Sequence, residues 1–198
     1  MNLLIIGKIR DGLTVPDFGP AFHAHLEAKH NPALKRASLN AWHLLAQGLR
    51  SLGLTALPTV EYTPSGKPVF SNAELHFSLS HSADLAAALI SSAPCGVDLE
   101  LIQVQTAERL YARCLSTAER QNHCDFFEIW TKKEAAAKLT GDGMPSRPAA
   151  IDTLSPAFPG HVLLCRRICD DSDRAYAVSA LSFDPEPLKI LYEKELSQ

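Results

Sequence analysis

Apolar residues along this chain gather in short runs broken by Gly, Pro and polar clusters, and the spacing within each run predicts an element. Residues 2–6, NLLII, form an unbroken apolar run of the length of a buried strand. Leu39, Trp42, Leu45 and Leu49 recur at three- and four-residue intervals, which predicts a helix from Ser38 to Leu52. Ser38 is placed to cap its start, and Gly53 follows its end. Residues 54–75 carry Pro58, Pro64, Gly66 and Pro68 and read as loop. Two apolar runs follow, His76–Leu79 and Leu85–Ile90, joined by Ser80-His81-Ser82-Ala83-Asp84. That is the pattern of a hairpin with its serines and histidine in the turn. Val97-Asp98-Leu99-Glu100-Leu101-Ile102 begins by alternating apolar and acidic, the period of a strand with one polar face. Helical signals dominate 104–139. Ser116-Thr117-Ala118-Glu119 has the form of a capping box. Asp125 opens a helix predicted from Phe126 to about Leu139, with Phe127, Trp130 and Ala137 on its apolar face and Gly141 and Gly143 ending it. His161–Ile168 and Tyr176–Phe183 are strand candidates joined by a turn at Asp170–Arg174, and Leu188–Leu196 is a last one.

Ser82–Ser91 and Ser172–Leu181 both run from a polar turn into a strand of small residues. This echo is consistent with an α+β fold of two similar halves, 1–95 and 96–198, each a small antiparallel sheet packed with helix.

Composition narrows the function classes. The chain has 198 residues, enough for one large domain or two small ones. Its 19 basic and 22 acidic residues leave a net charge of −3, which argues against a nucleic-acid partner. Any anion must therefore be met by a local cluster of Lys, Arg and backbone N–H groups. Five cysteines stand at 95, 114, 124, 165 and 169 with no CxxC pair, as expected for free thiols in a reducing compartment. The N-terminal MNLLIIGKIR places apolar before basic residues, the reverse of a signal peptide, and no run is long enough to cross a bilayer. A cytoplasmic protein with no membrane partner is expected.

Candidate chemistry falls in a few places. Asp98 and Glu100 are two apart on a predicted strand, so both carboxylates share one face. Paired carboxylates repel unless something positive lies between them, and Mg²⁺ is the simplest such partner. Glu134 and Lys138 are one helical turn apart on one face. Ser80 and His81 can bond phosphate oxygens, and Lys67 sits in a rigid Gly66-Lys67-Pro68 turn. Taken singly, each has an ordinary explanation: a polar strand face, an exposed ion pair, a solvated turn. Lys132 and Lys133 read as surface residues, and Lys35-Arg36 as a basic pair before a helix.

Their order along the chain resembles the 4′-phosphopantetheinyl transferases, in particular the pseudo-dimeric, surfactin-synthetase-activating (Sfp-like) group. Three blocks carry the resemblance: Gly66-Lys67-Pro68 with Phe77-Ser78-Leu79-Ser80-His81-Ser82; Gly96-Val97-Asp98-Leu99-Glu100; and Trp130-Thr131-Lys132-Lys133-Glu134-Ala135-Ala136-Ala137-Lys138. The resemblance implies transfer of the phosphopantetheine arm of coenzyme A to a serine of an acyl or peptidyl carrier protein, releasing 3′,5′-ADP. It implies that Asp98, Glu100 and Glu134 hold Mg²⁺, with Mn²⁺ as an alternative. It further implies that Glu134, or a water on the metal, deprotonates the serine and that Lys138 contacts the pyrophosphate. Arg36, Lys67, Ser80 and His81 would bind the nucleotide end of coenzyme A. Glu119 matches a family glutamate, and the capping box explains it equally well. A functional monomer with its site between the halves is expected. The alternatives are a non-catalytic descendant that only binds carrier protein or coenzyme A, and an unrelated Mg²⁺-dependent phosphohydrolase.

Overall fold

A computed structural model describes residues 1–72, 74–103 and 108–196. The chain begins with β1 (Asn2–Lys8), α1 (Pro20–Glu27) and α2 (Pro32–Ser51). Two short strands follow, β2 (Val60–Tyr62) and β3 (Pro68–Phe70), and then the hairpin of β4 (His76–Ser82) and β5 (Leu85–Ser91). The second part runs β6 (Cys95–Leu101), α3 (Glu108–Cys114), α4 (Thr117–Gln121), α5 (Phe126–Thr140), β7 (His161–Cys169), β8 (Ala175–Ser182) and β9 (Leu188–Tyr192). The fold is mixed α+β, as predicted. Residues 104–107, where the predicted helical stretch begins, lie outside the described residues.

Two sheets carry the core. One has the order β4-β5-β1-β9 and the other β6-β8-β7; β2 and β3 form a separate hairpin. Every strand alternates its faces, and the alternation sorts the side chains into layers. Leu3, Ile5, Ala86, Ala88 and Ile90 pack on Trp42, Leu45 and Leu49 of α2. Leu4, Ile6, Ala87 and Leu89, on the other face, meet Val97, Leu99, Tyr176, Val178 and Ala180 of the second sheet. That sheet's far face turns Leu181 towards Ala135, Ala136 and Leu139 of α5. The layers therefore run α2, first sheet, second sheet, α5.

Three local expectations are corrected. Ser38 caps nothing, because it lies buried inside α2. The helix starts earlier, at Pro32, where Asn31 Oδ1 accepts from the N–H groups of Ala33 and Leu34. The hairpin turn is also tighter than predicted: Ser80, His81 and Ser82 belong to β4, and Ser82 pairs directly with Leu85. The turn can close in so few residues because Ala83 takes a positive φ of 47°. Finally, β2, β3 and α1 fall in stretches that the periodicity left without elements; three-residue strands are too short to show a period.

The capping box at Ser116 and Glu119 is present in both directions, and Asp125 caps α5 through the Glu128 N–H. Gly141 ends α5 at φ 81°, a left-handed cap. All five cysteines are free. Among the described residues, no helix is long and apolar enough to cross a membrane.

Candidate active site

β6 presents Gly96, Asp98 and Glu100 on the face opposite Val97 and Leu99, and α5 lies over that face. Contact is close because residue 96 is glycine: a Cβ there would stand 1.9 Å from the Ala135 carbonyl oxygen and 2.7 Å from the Leu139 nitrogen. Thr131 Oγ1, 2.8 Å from Ser179 Oγ, ties the helix to β8. This docking carries Glu134 and Lys138 to the carboxylates of β6.

Lys138 Nζ donates to Asp98 Oδ1 at 2.7 Å, to the Val97 carbonyl at 3.0 Å and to Ser80 Oγ at 3.1 Å. Ser80 Oγ donates in turn to Asp98 Oδ1 at 2.8 Å. Asp98 is buried, while Glu100 and Glu134 are half-buried. Burial pushes the Glu134 carboxyl up, the Asp98 charge adds to this, and Lys138 opposes it. Glu100 is likewise pushed up by burial and then by Asp98, against a hydrogen bond to Ser82. The three carboxylates thus feel one another across β6 and α5, with Lys138 as the cation among them. Among the described residues, no three His, Cys, Asp or Glu side chains already close into a metal cage.

A cavity of about 270 Å³ opens beside this cluster, lined by Lys67, Phe77, Leu79, Glu134, Lys138 and Met144 with neighbouring residues. A second space of about 680 Å³ continues from it past Lys67 to His76, Pro94 and Asp142. Lys67 stands at the junction, its ammonium donating to the Leu139 carbonyl at 2.9 Å. Burial pulls the Lys67 pKa down. His81 is also lowered, first by burial and then by Lys138 and Lys29, which favours a neutral ring.

The sequence-predicted residues therefore fall into two sets. Asp98, Glu100, Glu134, Lys138 and Ser80 come together, and Lys67 reaches the same cavity system. Arg36 lies on exposed α2 surface, paired with Asp11 at 3.2 Å, and neither Arg36 nor His81 lines the two cavities.

Sequence reasoning missed Lys133. Expected on the surface, it is wholly buried, with its ammonium on Glu119 Oε2 at 2.7 Å and on the Cys114 and Pro148 carbonyls. Glu119 also accepts from the Ser116 N–H and from both the N–H and hydroxyl of Thr153. Burial alone would raise the Glu119 carboxyl; Lys133 and these hydrogen bonds outweigh it and hold the group below its ordinary value. The pair anchors the middle of α5 one residue from Glu134.

Residues 94–180 match the model of the 4′-phosphopantetheinyl transferase superfamily. The 4′-phosphopantetheinyl transferase AcpT of Salmonella typhimurium is 35% identical over 144 residues, covering 67% of this chain and 72% of that protein. AcpT of Escherichia coli K12 is 34% identical over 153 residues, covering 71% of this chain and 74% of that protein. The 4′-phosphopantetheinyl transferase psf-1 of Bacillus pumilus is 38% identical over 89 residues, which is 40% of this chain and 38% of that protein. The shared segment contains β6, α5, β7 and most of β8, the elements that place Asp98, Glu100, Glu134 and Lys138, and the chain belongs to the 4′-phosphopantetheinyl transferase superfamily.

Proposed function

We propose that this chain moves the phosphopantetheine arm of coenzyme A onto a serine of an acyl or peptidyl carrier protein and releases 3′,5′-ADP. The observation that carries the reading is the cluster of Asp98, Glu100, Glu134 and Lys138, of which Glu134 and Lys138 line a cavity that Lys67 also reaches. The serine oxygen attacks the β-phosphorus of the pyrophosphate, a new P–O bond forms, and the bridging P–O bond to the α-phosphate breaks. The electron pair leaves with 3′,5′-ADP. Glu134, or a water on the metal that it would help to hold, takes the serine proton. Lys138 offsets charge on the pyrophosphate, and such electrostatic stabilisation dominates phosphoryl transfer.

The donor set suits a hard divalent cation. Asp98, Glu100 and Glu134 offer only oxygen, and these three carboxylates face Lys138, whose ammonium pairs with Asp98. Mg²⁺ held by these three would supply charge neutralisation for the pyrophosphate. Mn²⁺ has the same donor preference. Lys67, which reaches both cavities, is given to the nucleotide end of coenzyme A; for Ser80, His81 and Arg36, which line neither, that role rests on the family resemblance alone.

The two parts of the chain support the pseudo-two-fold reading. β1-α2-β4-β5 and β6-α5-β7-β8 share element order, and their strand orders, β4-β5-β1 and β7-β8-β6, correspond. In the echoed segments, Ala83 and Asp173 occupy matching positions and both take positive φ, 47° and 57°. A monomer with its site between the halves follows from this reading.

The test is to incubate the protein with coenzyme A, Mg²⁺ and an apo acyl or peptidyl carrier protein and to weigh the carrier. A gain of one phosphopantetheine arm supports the reading, and Asp98→Ala should abolish it. Tight coenzyme A binding with no gain on any carrier would leave the binding-only alternative.

A further inference from the structure

β2 and β3 stand apart from both core sheets as a hairpin of their own. Its base is held by the core. Val60 is fully buried and donates its N–H to the Phe18 carbonyl at 2.9 Å, and the Phe70 ring lies 4.4 Å from that of Phe77. Its tip, residues 63–67, is held mostly by itself. The Thr63 N–H donates to the Lys67 carbonyl at 2.9 Å, and the Gly66 N–H to the Thr63 carbonyl at 2.8 Å. The Lys67 N–H donates to Thr63 Oγ1 at 3.1 Å, so the turn closes on its own groups.

This self-contained tip is a wall of both cavities and faces the end of α5 across them. Among the described residues, one hydrogen bond joins residues 59–71 to the second half: Lys67 Nζ donates to the Leu139 carbonyl at 2.9 Å. That carbonyl lies in the last turn of α5, where a helix leaves its acceptors without intrahelical donors. The Lys67 stem is wedged between tip and helix, since a Cβ on Gly141 would stand 3.3 Å from its Cδ. The ammonium therefore leaves Leu139 only if the tip moves with it. It has reason to leave. Half-buried, it pairs with no carboxylate among the described residues, and space opens on both sides of it. A neutral carbonyl is a weaker acceptor for it than an ionised phosphate oxygen. We propose that the hairpin tip is a movable wall of both cavities, and that the Lys67–Leu139 bond is its latch, which opens when a phosphate group of a ligand takes the ammonium. The choice of coenzyme A as that ligand rests on the transferase reading; the latch itself does not.

The test is a bridge across the latch. Ser65 Oγ lies 4.0 Å from the position of a Cβ on Gly141, so cysteines at the two sites are within reach of a disulfide. Ser65→Cys with Gly141→Cys is oxidised by glutathione disulfide, and peptide mapping locates the bridge. Each single variant controls for the native cysteines. The bridge closes in the ligand-free protein; a pair that stays open overturns the resting arrangement, and the proposal with it. Coenzyme A and 3′,5′-ADP slow closure by about tenfold or more. The bridged protein binds 3′,5′-ADP about tenfold more weakly than its own reduced form, which carries the same side chains. The two effects are one coupling read from either side. An unchanged rate of closure, or equal or tighter binding when bridged, overturns the proposal. Inorganic pyrophosphate separates the two readings. If the unaltered protein binds neither coenzyme A nor 3′,5′-ADP, the transferase reading fails, and the latch stands or falls on whether pyrophosphate slows closure. Residue 141 has a φ of 81°, which cysteine adopts under strain. Should that variant not fold, the ¹³C carbonyl signal of Leu139 in the unaltered protein decides: pyrophosphate must move it, and an unmoved signal overturns the latch.

Discussion

Lys133 and Glu119 are both fully buried, and every hydrogen-bonding position on the two groups has a partner. Such a pair contributes little net stability, but removing one member leaves an uncompensated charge in the core. Lys133→Met is therefore expected to destabilise the fold by about 3–5 kcal/mol in denaturant unfolding. Lys133→Met with Glu119→Leu should recover much of the loss. The sign with pH follows from Glu119, whose folded pKa lies below its unfolded value. Its stabilisation is present above the unfolded pKa and is lost as pH falls through the folded one, so acid unfolding should be steeper in the unaltered protein than in the double variant. Glu134 carries the opposite sign. Its folded pKa is raised, so in the cation-free protein its charge costs stability as pH rises through that value. Glu134→Gln should raise the melting temperature at neutral pH while cutting transfer by orders of magnitude; a fall in both would instead make Glu134 structural. The capping box of Ser116 and Glu119 was legible in the sequence because its geometry is local. The burial of Lys133 was not, because a Lys-Lys-Glu run on a helix reads as a solvated face and its partners come from other elements.

At the scale of elements, the active site depends on how closely α5 lies on β6. The Cβ that Gly96→Ala would add meets backbone, not a flexible side chain, so the helix itself must move. Overpacking of this kind costs about 1–3 kcal/mol. The same displacement carries Glu134 and Lys138 away from Asp98, and a shift near 1 Å can reduce a rate by about 100-fold. Gly96→Ala is thus expected to lose activity out of proportion to its loss of stability, measured as kcat beside the unfolding midpoint. A variant with unchanged kcat would show that the spacing of α5 from β6 is not critical. The strand carrying Asp98 and Glu100 was readable because alternation of apolar and acidic residues reports a two-sided strand directly. The serines of β4 misled for a physical reason: Ser-His-Ser is turn chemistry by composition, and only the neighbouring β6, short of acceptors along its edge, makes it strand chemistry.

The layers of the whole molecule were the least legible feature, since they depend on contacts between distant parts of the chain. β9 leaves the second half and pairs in parallel with β1, Asn2 opposite Leu188 and Ile6 opposite Tyr192. Sequence periodicity predicts that last strand but says nothing of its partner. Arg174 of the second half reaches Asp84 of the first, in matching positions of the two echoed segments, and Ser91 Oγ lies 2.8 Å from Ser182 Oγ. The inner faces of both sheets share one apolar core of Leu4, Ile6, Leu89, Val97, Leu99 and Val178. Neither half can unfold without exposing the core face of the other, without stripping β9 from β1 or without breaking the hydrogen bonds from the Val97, Leu99 and Leu101 N–H groups of β6 to the Ser78, Ser80 and Ser82 hydroxyls of β4. Calorimetry should accordingly show one unfolding transition, with calorimetric and van't Hoff enthalpies in agreement. Two resolved transitions would show that the halves are independent domains. On the proposed function the interlocking matters for catalysis, because Lys67 and Ser80 precede β6 while Asp98, Glu100, Glu134 and Lys138 come from β6 and α5. A site divided in this way keeps its geometry only while the halves hold a single arrangement. Removing the hydroxyl of Ser78 or Ser82, which accepts from the Val97 or Leu101 N–H of β6, should therefore lower activity before it lowers the fraction folded.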